Sequence, residues 1–279
     1  MDRRRFLSLC GLGVTGLAGC TSPDGDQQPP TDTTTTSPAS ELRIEFGGLQ
    51  TGVVGLLEDA YEITFTPDSQ YLFLDVNVDS GTSPSITDFQ FHFAGDVYSP
   101  KTEWNRPPFH RSEGSGRGYP DTTGKERYWD DESTDGWIAF QLPETGATSG
   151  AVLSWPGGEW SPAEAVRTRL ANPIPEFTVE EWVVPETVSP DTDPEFALTV
   201  RNEGSHPGQF WGAIDGDGVT TDRLVTLVSQ RIPPGESRSW AVRGRTYQMG
   251  SAANPVEQVN YTLLWPGEDR SKSARVRYE

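Results

Sequence analysis

The chain predicts an all-β protein of two tandem antiparallel β-sandwiches. Three observations carry this: apolar residues alternating with period two, turn formers spread along the chain, and an internal repeat. Leu72, Leu74, Val76 and Val78 alternate in YLFLDVNV, as do Ile138, Phe140 and Leu142 in WIAFQLP. Phe196, Leu198 and Val200 repeat the pattern in EFALTVRN, and Val259, Tyr261, Leu263 and Trp265 in VNYTLLW. Side chains on successive strand residues point to opposite faces, so such runs read as half-buried strands. The 29 Gly and 23 Pro cut the chain into short strands, the pattern of a sandwich. No stretch of ten or more residues outside the N-terminus shows convincing helical spacing.

The repeat sets the domain count. VLSWPGGEWSPAEAVRTRL at 152–170 and TLLWPGEDRSKSARVRYE at 262–279 share an apolar strand, a Trp-Pro-Gly stop and an alternating basic run. Proline cannot donate to a ladder and glycine permits reversal, so each phrase reads as the closing hairpin of a domain. Val166, Thr168 and Leu170 then predict a last strand in the first half, and Val276 and Tyr278 in the second. The tryptophans are expected to close cores rather than to serve as ligand platforms. The first domain accordingly spans 41–171 and the second 172–279. Asn172-Pro173-Ile174-Pro175 forms a stiff link that predicts an elongated, fairly rigid pair.

Before these domains lie two segments of another kind. Residues 1–19 read as a targeting signal, with Arg3, Arg4, Phe6 and Leu7 in a pattern that resembles the twin-arginine export motif. The apolar run that follows is about half the ~20 residues a spanning helix needs. Leu17-Ala18-Gly19-Cys20 resembles the lipobox of bacterial and archaeal lipoproteins, which implies lipidation of Cys20 and a place on the outer face of the cell membrane. Residues 20–40 hold no apolar side chain larger than alanine and read as a disordered Thr/Pro-rich tether. With Cys10 in the signal and Cys20 at its end, the folded part is expected to rely on its core rather than on disulfides.

The first half exceeds the second mainly in residues 98–136, a long excursion rich in aromatics and arginines. Trp104, Arg106, Phe109, Tyr128 and Trp129 are the candidates for contact with an envelope protein or glycan partner, because such types are enriched at interface hot spots. The competing expectation is that the aromatics pin the loop to its own sheet.

Residues 42–170 resemble the secreted immunoglobulin-like family called domain of unknown function 4352, through YLFLDVNVDSGTSPSITDFQFHF and GWIAFQLPETGATSGAVLSW. Residues 177–279 are similar to the cell-adhesion-related domain of bacterial and archaeal surface proteins, through FALTVRNEGSHPGQFWGAI and IPPGESRSWAV. The resemblances imply immunoglobulin-like sandwiches on a surface lipoprotein and transfer no catalytic residue.

Charge narrows the partners. The chain carries −19; residues 1–19 contribute +2 of this, so the remainder carries −21. Only Lys101, Lys125 and Lys272 are lysines, and this acidic, lysine-poor surface resembles halophilic archaeal proteins. The melting temperature should therefore rise from dilute buffer to molar potassium chloride as salt screens self-repulsion, and a flat series would refute this. Nucleic acid is disfavoured, since no basic face is visible. No nucleophile elbow, metalloprotease helix, phosphate loop or Cys–His cluster is present, so neither an enzyme nor a cofactor is expected. Asp215, Asp217 and Asp222 form a weak calcium-loop candidate without the remaining ligands, and Asp-Gly pairs more often mark hairpin turns. His92 should lie on the solvent face opposite Phe91 and Phe93. The expected function is a non-catalytic surface lipoprotein that binds, spaces or scaffolds at the envelope. The alternative is an envelope protein binding calcium or copper, or an accessory subunit of a membrane enzyme or transporter.

Overall fold

The computed structural model describes residues 40–57, 60–104, 108–109, 129, 134–190, 192–217, 224–244, 257–267 and 270–279, with backbone alone at 56–57, 60–62, 108–109 and 224–225. Residues 37–279 form one compact unit, and within it the fold is all-β with one large core in each half and a smaller third core in the first.

In the first half the strands are β1 Glu41–Gln50, β2 Gly52–Leu57, β3 Ala60–Phe65, β4 Ser69–Ser80, β5 Gln90–Phe93, β6 Asp96–Tyr98, β7 Pro108–Phe109, β8 Asp135–Pro143, β9 Val152–Trp155 and β10 Gly158–Trp160. Sheets of order β1-β4-β8 and β10-β9-β5-β6 close on a core of Leu72, Leu74, Val76, Phe91, Ile138 and Phe140, each 0% exposed. Each such side chain contributes about 1.5–3 kcal/mol by leaving water.

A third sheet, β3-β2-β7, covers the other face of the β1-β4-β8 layer. Val53, Tyr71, Phe73, Trp137 and Ala139 form a small core there, with Phe73 and Trp137 rings 5.5 Å apart. The middle layer is thus buried on both faces at the centres of β4 and β8, and the first half has three layers where a simple sandwich has two. The centres of β4 and β8, YLFL and WIAF, are accordingly buried at every position, while β1 keeps an exposed face over its first half.

The second half is a two-layer sandwich. Its strands are β11 Phe177–Val183, β12 Thr187–Val188, β13 Glu195–Asn202, β14 Gly208–Asp217, β15 Leu224–Ile232, β16 Ser237–Arg243, β17 Gln258–Leu264 and β18 Ser271–Tyr278. The sheet β11-β13-β16 faces β12-β18-β17-β14-β15. Phe196, Leu198, Val200, Val259 and Leu263, all 0% exposed, lie between them.

Two sequence expectations are corrected. Val166, Thr168 and Leu170 lie on a helix, α1 Glu164–Leu170, not on a strand. The spacing admitted both forms: Val166 and Leu170 are also i, i+4, and on the helix both are buried while Thr168 is exposed. Glu164 settles the first turn through its 2.8 Å ion pair with Arg167 and by accepting from Thr168 Oγ1 on its carbonyl at 2.9 Å. Asp215-Gly216, in turn, makes no hairpin turn. It lies inside β14, where Asp215 is flanked by Val225 and Thr262 on both neighbours.

The two Trp-Pro-Gly phrases do close hairpins, β9–β10 and β17–β18. Gly157 and Gly267 have φ of 104° and 132°, a region that side-chained residues rarely enter. Trp155 belongs to the first core, and Trp265 packs half-buried against the second.

Candidate functional site

The excursion between β6 and β8 is held to its own sandwich through two tryptophans, Trp104 and Trp129. Trp129 is 1% exposed; its ring meets Phe89 edge-on at 5.8 Å, and its indole N–H donates to the Pro84 carbonyl at 3.2 Å. Trp104 is half-buried against the Val53–Tyr71–Phe73 core, 6.2 Å from Tyr71, with the Lys101 ammonium 5.3 Å over its ring. Backbone completes the hold. The Trp129 N–H donates to the Trp137 carbonyl and the Lys101 N–H to the Ala139 carbonyl, each at 2.8 Å. The free edge of β8 is thereby covered, which removes a pairing hazard.

Of the five expected contact residues, Trp129 is an anchor whose ring offers no surface to a partner. Trp104 leaves part of its ring open. Phe109 is placed by backbone only, with β7 paired to β2. Arg106 and Tyr128 lie outside the described residues, as do Arg3, Arg4, Phe6, Leu7, Cys20 and Asp222.

Asp215 is 5% exposed within β14, whereas Asp217 is exposed. Among the described residues no cluster of three or more metal-ligating side chains occurs. His92 is half-buried on β5, opposite Phe91 and Phe93. The Tyr261 and Tyr278 hydroxyls sit 2.7 Å apart inside the second core, and burial pushes both phenols up from their ordinary range.

A concavity lies where the two halves meet. Pro266, in the second Trp-Pro-Gly turn, lies against Gly52 at the start of β2: a Cβ at Gly52 would stand 3.1 Å from the Pro266 Cβ and Cγ and 2.9 Å from the Thr64 carbonyl. On β14 Ile214 faces the second core, so Ala213 points to the opposite side, yet it is 0% exposed. The link divides its residues between the halves, Ile174 packing on the first core and Phe177 in the second. Gly52→Ala should therefore cost about 1–3 kcal/mol by overpacking. Pro266→Gly in the same chain should recover part of it, giving a nonzero coupling in a double-mutant cycle read by urea melts; strictly additive effects would remove the contact.

Beside this seam is a cleft of ≈ 270 Å³, lined by Phe65, Trp211, Trp265 and Pro175 and by the acidic residues Asp68, Glu144 and Glu176. Asp68 occupies a left-handed turn (φ 56°), a conformation that aspartate tolerates, and its carbonyl accepts from the Glu144 N–H at 2.9 Å. Among the described residues Arg270 is the cleft's one cationic lining residue. Its guanidinium donates to the Phe177 carbonyl at 3.2 Å and lies 3.7 Å from Glu176. Gly267, at φ 132°, holds a backbone conformation that side-chained residues rarely adopt, and the Arg270 side chain lies over it. Sequence reasoning missed this cleft. Its one visible trace was the second Trp-Pro-Gly phrase, which reads as a strand stop and carries no sign that its proline reaches a strand more than 200 residues earlier.

No family model matches the chain, and no curated protein matches it. Among solved structures it is similar to a beta-glucosidase from Listeria innocua in complex with glucose, at 11% identity and a TM-score of 0.30, over 39% of this chain and 16% of that one. A second is a GH2 beta-galacturonidase from Eisenbergiella tayi bound to glycerol, at 10% identity and a TM-score of 0.25, over 88% of this chain and 44% of that one. The chain thus spans less than half the length of either, and likenesses this distant carry no functional argument.

Proposed function

We propose that this chain is a non-catalytic lipoprotein of the outer cell-membrane face, in which a polar tether carries two docked immunoglobulin-like sandwiches that bind or space something at the envelope. The observation that carries the reading is the seam. With Pro266 seated on Gly52 and the link residues shared between two cores, the halves make one presenting body rather than two loosely strung domains. The arginine motif, short apolar run, Cys20 and polar segment, in that order, support the anchor. The non-catalytic reading draws on the use of buried polar groups as fold ties. Asn202, for example, bonds three backbone groups. Mass spectrometry of the protein from its native membrane should find Cys20 at the N-terminus with lipid attached. An unmodified N-terminus elsewhere defeats the anchor.

A further inference from the structure

We propose that the cleft at the seam binds a neutral sugar, so that the body is a glycan-binding one. This rests on the binding reading above and names its ligand class. Trp211 and Trp265 are half-buried, and in both the indole nitrogen is covered, so the surface each ring leaves open is carbon. With Phe65 and Pro175 these rings give the cleft apolar walls. The polar residues beside them are mostly acidic, Asp68, Glu144 and Glu176, with Thr51, Ser69 and Gln209 as mixed donors and acceptors and Arg270 as a donor.

A ligand matched to this lining must bring hydrogen-bond donors and an apolar face together. An anion meets three carboxylates against one guanidinium, which is already bonded to the Phe177 carbonyl and beside Glu176. A purely apolar ligand would strip water from the carboxylates and return nothing, at a cost of several kcal/mol. A sugar ring fits both demands, its C–H face on aromatic carbon and its hydroxyls donating to carboxylates in charge-assisted bonds. Quaternary ammonium ions bring a cation for the rings and the acidic residues, and are the competing ligand class. The volume, ≈ 270 Å³, lies just under the roughly 300 Å³ at which small-molecule clefts begin and suits one ring better than a peptide segment. The junction of two domains is also a preferred place for such clefts.

The test is calorimetric titration of the full chain with glucose, galactose, N-acetylglucosamine and a glucose oligomer, and separately with tetramethylammonium chloride, in dilute buffer and at molar potassium chloride. At least one sugar should bind with an affinity that changes less than about twofold with salt, because no net charge is neutralised. Tighter binding of the oligomer identifies a polymer residue as the ligand, and equal binding identifies a free sugar. Trp265→Ala should abolish binding, while Trp104→Ala, outside the cleft, should retain it. If Trp265→Ala unfolds, an Asp68→Asn, Glu144→Gln variant replaces it. It keeps the shape and should weaken sugar binding roughly tenfold by making two charge-assisted bonds neutral. Binding of tetramethylammonium alone, falling steeply with salt, would reassign the cleft to cations and overturn the proposal. So would no binding by any sugar, or sugar binding that survives the cleft variants. Lipid on Cys20 is measured independently, so failure here and failure of the anchor are separate results.

Discussion

Replacing Trp129 by alanine should lower stability by about 3–5 kcal/mol, the range for removing a large aromatic side chain from a core. For a body of this size that is a fall in melting temperature of roughly 10 °C. The loss has three sources. The ring is 1% exposed, its edge-on contact with Phe89 disappears, and the Pro84 carbonyl loses the indole N–H at 3.2 Å. Trp129→Phe should recover part of the packing and none of the hydrogen bond, and so fall between. Trp104→Ala should cost less, because that ring is only half-buried. Urea melts of the three variants make the comparison, and an unchanged midpoint for Trp129→Ala would mean the excursion is not fastened through this residue.

Asn202→Ala should cost about 3 kcal/mol, because the penalty for unmade buried hydrogen bonds falls on the groups left behind. The Asn202 side chain is 0% exposed. It donates to the carbonyls of His206 and Ile232 at 2.9 and 3.0 Å and accepts from the Gly204 N–H at 2.8 Å. Through these bonds the end of β13, the turn beyond it and the end of β15 are tied together. Asn202→Asp should be at least as damaging, since a carboxylate would face two carbonyl oxygens. The measurement is the urea midpoint together with exchange of the Gly204 amide. A change below about 0.5 kcal/mol, the scale of ordinary surface substitutions, would mean these bonds are replaceable by water.

Both variants touch residues whose roles were unevenly legible in the sequence. The strands β4, β8, β13 and β17 could be read from alternation because one face of each is plainly apolar. The second face of β4 and β8 could not. Selecting Leu72, Leu74 and Val76 as the buried set leaves Tyr71 and Phe73 on the side that a two-layer sandwich exposes, and only the third sheet explains their burial. The short helix escaped because seven residues hold too few periods to separate 3.6 from 2. Asn202 carries no local mark, since what it bonds lies up to 30 residues away. The seam cleft was invisible for the same reason: Gly52, Asp68, Glu144 and Trp265 converge only after both halves have folded.

The doubly covered middle layer also bears on how the sequence is free to change. An ordinary sandwich strand keeps one face where neutral drift, or adaptation to a new medium, can substitute charge at little expense. From Gln70 to Leu74 and from Trp137 to Leu142 the chain contains no charged residue on either face. The carboxylates behind the −19 total are therefore excluded from the centre of the first half, and any adaptation through surface charge must proceed at its loops, its outer strands and the second sandwich. Lineages of this protein should thus diverge at two rates, with β4 and β8 nearly frozen inside a mantle that is free to trade acid for acid.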